Sequence, residues 1–207
     1  MARSKSSSRW ISRQSKDPYV AKAKSEGYRS RAVYKLQEID CKYQIFKSGQ
    51  FIVDLGAAPG AWCQYVVKNV AETAGKVFAL DILEMDPIEG VCVVQGDFTE
   101  AEPLNQLVNL LNSQSVDLVL SDMAPNISGN KAVDQPKSMY LAELALDFAK
   151  NHLTKDGVFV VKLFQGEGYA QFITELRSNF RRVTTFKPQA SRKESREMYA
   201  IAREFGL

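Results

Sequence analysis

The stretch Phe51-Ile52-Val53-Asp54-Leu55-Gly56-Ala57-Ala58-Pro59-Gly60-Ala61-Trp62 decides how the chain folds. It begins with an apolar run, broken by Asp54 alone, of the kind that fills a parallel sheet covered on both faces. A charge so placed lies either at the strand's exit or against a partner. Gly56 to Gly60 make a turn with almost no side chain, and Ala61 to Val70 reads as a helix whose first amides face that turn. Such a strand, turn and helix let a ligand approach the main chain, as in a nucleotide-type cofactor site. The dinucleotide fingerprint G-x-G-x-x-G is not met, since Ala58 replaces its second glycine and Pro59 has no N–H to offer. A pyrophosphate finds a poor cradle there. S-adenosylmethionine, an adenosine with a short charged tail and no phosphates, fits better.

Working outward, 207 residues with 45% hydrophobic and 25% charged side chains describe one ordinary soluble domain with a real core. No apolar stretch is long enough to span a bilayer, and no apolar segment follows the basic N-terminus as in a signal peptide, so the expected location is cytoplasmic. Cys41, Cys63 and Cys92 are widely spaced among apolar residues and read as reduced core thiols rather than disulfides or a metal cluster. His152 is the single histidine, which argues against a His-ligated metal or His-centred triad; it reads as a surface imidazole in the last turn of a helix. No metal is expected.

The net charge of +3 hides an asymmetry: residues 1–31 carry nine basic side chains against Asp17 and Glu26, a balance of +7, so residues 32–207 sum to −4. With Trp10, Tyr19 and Tyr28 interleaved, residues 1–29 read as a basic, partly flexible arm that contacts RNA through phosphates and stacking, ahead of a single domain over 30–207. For the first dozen Ser-rich residues a solvated disordered tail is the competing reading.

Along the domain, Ser30 is placed to cap a helix from Arg31 to about Asp40, which carries Lys35. After the opening stretch, strands are predicted at Lys76–Leu80, Val91–Gln95, Val116–Leu120, Val158–Leu163, Val183–Lys187 and Met198–Ala202. Helices are predicted at Pro103–Asn112, Met139–Leu153 and Gly168–Phe180, with Asn126–Pro136 as a loop. This alternation implies an α/β, Rossmann-like, doubly wound sheet whose ligand lies outside the carboxyl ends of the strands. Asp54, Asp81, Asp97, Asp122 and Lys162 all fall at or near such ends. Asp81, 21 residues beyond Gly60, has the spacing of an acidic side chain that takes ribose hydroxyls, and Asp97 is placed to accept from an adenine amino group. Trp62 reads equally as a ring against the cofactor or as core. Lys162, among Val160, Val161, Leu163 and Phe164, either snorkels to the strand's end or sits partly buried with partners.

DLGAAPGAW, LDILEMDP, QGDF, SDMAPNISG, MYLAELAL, VVKLFQGEG and SRKESREMY, in this order and with compatible gaps, resemble the FtsJ family of bacterial large-subunit ribosomal RNA 2′-O-ribose methyltransferases. The resemblance covers the chain from about Ser30 onward. It implies a class I S-adenosylmethionine-dependent methyltransferase fold, seven-stranded and mostly parallel with an antiparallel last strand. It also implies a catalytic Lys35, Asp122, Lys162 and Glu197, with Lys162 as the base. Of the two glutamates in SRKESREMY it is Glu197 that matches, not Glu194. Gly60, Trp62, Asp81, Asp97 and Asp122 are the implied cofactor contacts, S-adenosylhomocysteine the product, and a uridine of the aminoacyl-site loop of 23S rRNA in the large ribosomal subunit the target. The family's usual second glycine after Pro-Gly is Ala61 here. Arg29, Arg31, Arg192, Lys193 and Arg196 are expected to clamp RNA phosphates.

Competing readings are a 2′-O-methyltransferase of another RNA, such as tRNA or an mRNA cap, and a non-catalytic ribosome-assembly factor that binds RNA. A nicotinamide dehydrogenase is disfavoured by the missing G-x-G. No obligate protein partner is expected, and the chain reads as a monomer.

Overall fold

A computed structural model describes residues 17–70 and 75–206. In chain order the elements are α1 (Pro18–Ser25), α2 (Val33–Tyr43), β1 (Phe51–Leu55), α3 (Ala61–Val70), β2 (Lys76–Asp81), β3 (Val91–Gln95) and α4 (Ala101–Leu111). They continue with β4 (Val116–Ser121), α5 (Lys131–His152), β5 (Leu153–Phe164), α6 (Tyr169–Asn179), β6 (Phe180–Phe186) and β7 (Glu197–Phe205). Among the described residues seven strands form one sheet in the order β3-β2-β1-β4-β5-β7-β6. β3 through β5 run parallel, and β7 is inserted antiparallel to both β5 and β6. Strand order reverses between β1 and β4, so their carboxyl ends open a crevice at the switch point.

Strand pleating sorts the side chains into two layers. Val53 and Leu55 of β1, Phe78 and Leu80 of β2, Val119 of β4 and Phe159 and Val161 of β5 pack with α4, α5 and α6. Their alternates, Ile52, Val77, Ala79, Leu118, Leu120 and Val160, join Tyr199 and Ile201 of β7 beneath α2 and α3. Helices on both faces account for the near-continuous apolar strands.

Several boundaries differ from those expected. α2 starts at Val33, and Ser30 Oγ accepts instead from the Ala32 amide at 3.3 Å, capping the turn before the helix. The segment read as a loop to Pro136 becomes helix from Lys131, because the Asn130 side chain caps it by accepting from the Ala132 amide at 3.1 Å. Asp134 then folds the preceding turn back by accepting from Ser128 and Gly129. Exposure, rather than loop geometry, explains that segment's polarity. β5 begins at Leu153, directly after α5, with an irregularity opposite β4 between Val116 and Leu118. Antiparallel pairing extends β6 and β7 beyond their apolar centres, since the ladder needs main chain only. Cys63 is buried as expected, but Cys41 and Cys92 are exposed thiols. His152 is half-buried against Phe148, with ring centroids 4.5 Å apart, and burial lowers its pKa.

The reading of residues 1–16 as a tail or RNA contact, Trp10 included, lies outside the described residues. From Asp17 onward the segment is packed on the domain. Ala23 of α1 is buried with Val33, Tyr34, Ala61 and Ala190, while the Tyr19 and Tyr28 rings lie 5.4 and 6.4 Å from that of Tyr34.

Candidate active site

Pleat parity brings the chemistry together. Lys162 of β5 is the register partner of Tyr199 on β7. Residues at every second position of β7 share a face, so Glu197 and Tyr199 both turn towards α2, which brings Lys35. Asp122 immediately follows β4. Lys162 Nζ lies 2.9 Å from Asp122 Oδ1 and also donates to the Asp122 main-chain carbonyl. Lys35 Nζ lies 2.8 Å from Glu197 Oε1.

Tyr199, which sequence reasoning did not single out, joins the two pairs. Its hydroxyl donates to Asp122 Oδ1 at 2.6 Å and accepts from Lys35 Nζ at 3.2 Å. Fully buried beside two carboxylates, its own acidity is suppressed by desolvation and by the charges of Asp122 and Glu197, so it stays a donor. Burial favours the neutral form of Asp122, but the Lys162 and Lys35 ammoniums and the Tyr199 hydroxyl outweigh it and hold the carboxyl below its ordinary range. Beyond Lys35, the Ser191 hydroxyl donates to Glu197 Oε1 at 2.6 Å. The loop carrying Ser191 is pinned to α2 by Glu38, whose carboxylate accepts from the Gln189 and Ala190 amides at 2.6 and 2.8 Å. The result is a continuous polar chain from Lys162 to a basic loop. The one available signal for Tyr199 was its position two residues beyond Glu197 on an alternating strand.

The glycine turn lies at the crevice. The Gly56 amide donates to Leu80 O at 2.9 Å, and the Asp122 amide donates to Leu55 O at 3.2 Å, tying the ends of β1, β2 and β4. A Cβ on Gly56 would come within 2.8 Å of Met123. Gly60 has φ +100°, a conformation suited to glycine, and a Cβ there would meet Ile88 at 2.7 Å and Met85 at 2.8 Å. Asp81 Oδ2 accepts from the Ala58 amide and Oδ1 from the Leu83 amide, both at 2.8 Å, so it braces the turn while standing at the rim. Asp97 Oδ1 accepts from the Thr99 amide and hydroxyl at 2.9 and 2.8 Å. Asp81 thus ends β2 and Asp97 lies two residues past the end of the adjacent parallel β3, both half-buried. Trp62 differs from these: its ring is buried, its indole N–H donates to Ala32 O at 2.8 Å, and it packs 5.9 Å from the Tyr199 ring. The structure therefore puts the Trp62 side chain in the core behind Tyr199, leaving its first-turn main chain as what it can offer a ligand.

Asp54 is fully buried on the α3 side of β1. The Cys63 thiol donates to its Oδ2 at 3.2 Å, and Oδ1 is enclosed without a hydrogen-bond partner. Desolvation raises its carboxyl from 3.8 to about 7, and burial beside that carboxylate raises the Cys63 thiol well above its usual range.

The basic residues divide. Lys193 and Arg196 are exposed and Arg192 is half-exposed on the loop beside Glu197. Arg31, by contrast, pairs with Asp17 at 2.9 Å and donates to Ala190 O. The Arg29 guanidinium also spends donors on main-chain carbonyls, of Pro59, Asp86 and Pro87. Among the described residues no helix is long and apolar enough to cross a membrane, and no three His, Cys, Asp or Glu side chains gather as a metal site requires.

A family model described as FtsJ-like methyltransferase matches residues 28–205. The chain is 55% identical over 205 residues to the ribosomal RNA large subunit methyltransferase E of Hahella chejuensis, covering 99% of each. To the protein of the same name from Francisella tularensis subsp. novicida it is 51% identical, again over 99% of each. Among solved structures, one titled as a ribosomal RNA methyltransferase of Plasmodium falciparum superposes with a TM-score of 0.77 at 32% identity, over 86% of this chain and 98% of that one. Human methyltransferase-like protein 13, solved with S-adenosylhomocysteine, shares the fold at a TM-score of 0.54 and 13% identity, over 74% of this chain and 71% of its own.

Proposed function

This chain belongs to the FtsJ-like methyltransferase family, and from that premise we propose that it methylates the ribose 2′-oxygen of a uridine in the aminoacyl-site loop of 23S rRNA, on the assembled large ribosomal subunit. It is a large-subunit ribosomal RNA methyltransferase by full-length likeness. S-adenosylmethionine is the methyl donor. The crevice suits it: Asp81 and Asp97 carry carboxylates at one rim, Gly60 leaves no Cβ in the turn, and the turn lacks the amide that a pyrophosphate would want at Pro59.

The observation that carries the chemistry is the environment of Lys162. Once its ammonium has released a proton to solvent, the Lys162 amine has two N–H bonds and one lone pair, and it faces two fixed acceptors, the carboxylate and the carbonyl of Asp122. With both N–H groups so directed, the lone pair is what remains for a substrate hydroxyl. A ribose hydroxyl is a weak nucleophile, and removing its proton as the new O–C bond forms is the contribution a base makes. S-adenosylmethionine, when bound, would supply a methyl activated by its positively charged sulfur, the sulfur–methyl bond breaking to leave S-adenosylhomocysteine. Lys162 takes the 2′-proton and becomes an ammonium, which the Asp122 carboxylate stabilises. Lys35 and Glu197 hold the ribose, and Tyr199 keeps their pair in register with Lys162. Exposed Lys193 and Arg196 meet phosphates beside the site.

The test is transfer of labelled methyl to intact large subunits, free 23S rRNA, tRNA and capped mRNA, with Lys162→Ala alongside. Transfer to a 2′-oxygen of large-subunit RNA, reduced by at least about a hundredfold in the variant, is expected from the usual size of base catalysis. Preferred transfer to tRNA or cap, or a variant with full turnover, overturns the assignment.

A further inference from the structure

Arg29 stands in a basic segment and would be taken for a phosphate contact, yet its half-buried side chain lies across two loops of the domain. Nη1 donates to Pro59 O at 3.0 Å and to Asp86 O at 2.7 Å, and Nη2 donates to Pro87 O at 3.0 Å. Its amide donates to Gln64 Oε1 at 2.9 Å, while Gln64 Nε2 donates to Gly27 O at 3.1 Å, so the main chain is anchored on α3 as well. Pro59 belongs to the glycine turn after β1, and Asp86 and Pro87 belong to the loop after β2. Three carbonyl oxygens converging on one point repel each other unless a cation with spread donors sits between them. The planar guanidinium fork has that shape, whereas a lysine ammonium is a point charge. Nη1 also lies 3.0 Å from where a Gly60 Cβ would be, beside Met85 and Ile88, so the fork closes one side of the turn.

We propose that Arg29 is a positioning residue for S-adenosylmethionine, clamping residues 56–60 to residues 82–88 so that Gly60 and Asp81 present one preformed adenosine pocket. This rests on the reading of that rim as the cofactor site. A guanidinium tied to loops from two strands removes their relative motion before the ligand arrives, and pre-organisation of that kind appears in affinity. Arg29 thereby makes the segment before α2 a working part of the cofactor site.

Arg29→Lys separates this role from a phosphate contact, because it keeps the charge and removes the fork. Calorimetric binding of S-adenosylhomocysteine to wild type, Arg29→Lys and Arg29→Ala is compared with binding of an aminoacyl-loop RNA, with melting temperature as a check on folding. Loss of hydrogen bonds to a charged group predicts a dissociation constant for S-adenosylhomocysteine weaker by about tenfold or more in both variants. KM for S-adenosylmethionine should rise to match, with kcat at saturating donor within about twofold and RNA affinity of Arg29→Lys nearly unchanged. Unchanged S-adenosylhomocysteine affinity in both folded variants overturns the proposal, as does full rescue by lysine. A wild type that binds no S-adenosylhomocysteine instead sinks the cofactor reading, and this proposal with it.

Discussion

Asp54 is the residue where burial and ionisation conflict most directly. Its carboxyl is raised to about 7, chiefly by desolvation, so between about pH 4 and pH 7 the folded state holds a proton that the unfolded chain has released. Its contribution to stability is therefore fully present below pH 4 and is lost as pH rises towards 7, by an amount on the order of 4 kcal/mol. Asp54→Asn should flatten this part of the melting-temperature profile; an unaltered slope from pH 4.5 to 7 would show that the carboxyl titrates normally. Tyr199 supplies a second residue-scale prediction. Tyr199→Phe keeps the ring against Trp62 and deletes the hydroxyl between Asp122 and Lys35. Hydrogen bonds to charged groups contribute about 1.5–3 kcal/mol, so single-turnover methyl transfer should slow by about tenfold or more. Wild-type rates in a folded Tyr199→Phe protein would mean that the two pairs act independently.

At the scale of elements, the site exists because β7 returns antiparallel beside β5. Antiparallel register sets Lys162 opposite Tyr199 and starts β7 at Glu197, which pairs with Phe164 at the carboxyl end of β5. A one-residue slip would turn Glu197 and Tyr199 to the other face. The loop before β7 is held by α2 through Glu38, a contact made by neither catalytic pair. Glu38→Ala leaves the amide of buried Ala190 without its acceptor, the exposed Gln189 amide turning to water, and is expected to cost about 1 kcal/mol of stability. Hydrogen exchange should quicken at residues 189–191, with slower methyl transfer because Ser191 no longer holds Glu197. Exchange there at the wild-type rate would show that Arg31 alone anchors the loop.

For the whole molecule, the exposed basic side chains beside the site predict how substrate is held. Lys193 and Arg196 lie exposed beside Glu197, Arg196 with one donor on the Gln165 carbonyl at 2.9 Å, whereas Arg29 spans three main-chain carbonyls and Arg31 pairs with Asp17. Reversing Lys193 and Arg196 to glutamate should weaken binding of large-subunit RNA and lower the slope of log affinity against log salt by about one for each phosphate no longer neutralised. S-adenosylhomocysteine affinity should stay constant, since neither residue approaches the glycine turn. A salt slope indistinguishable from wild type would move the RNA footprint elsewhere.

The alternation of apolar strands with helices, the glycine turn and the acidic strand ends were legible in the sequence, and they determined a doubly wound sheet with a site on its carboxyl rim. Local chemistry suffices for these, because helix periodicity, turn residues and strand polarity are written within a few neighbours. The motifs also singled out Lys35, Asp122, Lys162 and Glu197. Hydrogen-bond geometry depends on side chains far apart in the chain, and there only the tertiary structure decided. It placed the Tyr199 hydroxyl between the pairs, put the Trp62 ring behind it, enclosed Asp54, and turned Arg29 from the basic segment onto the carbonyls of two loops. Composition registers that a charge is present; the partners that neutralise it are set by register and packing.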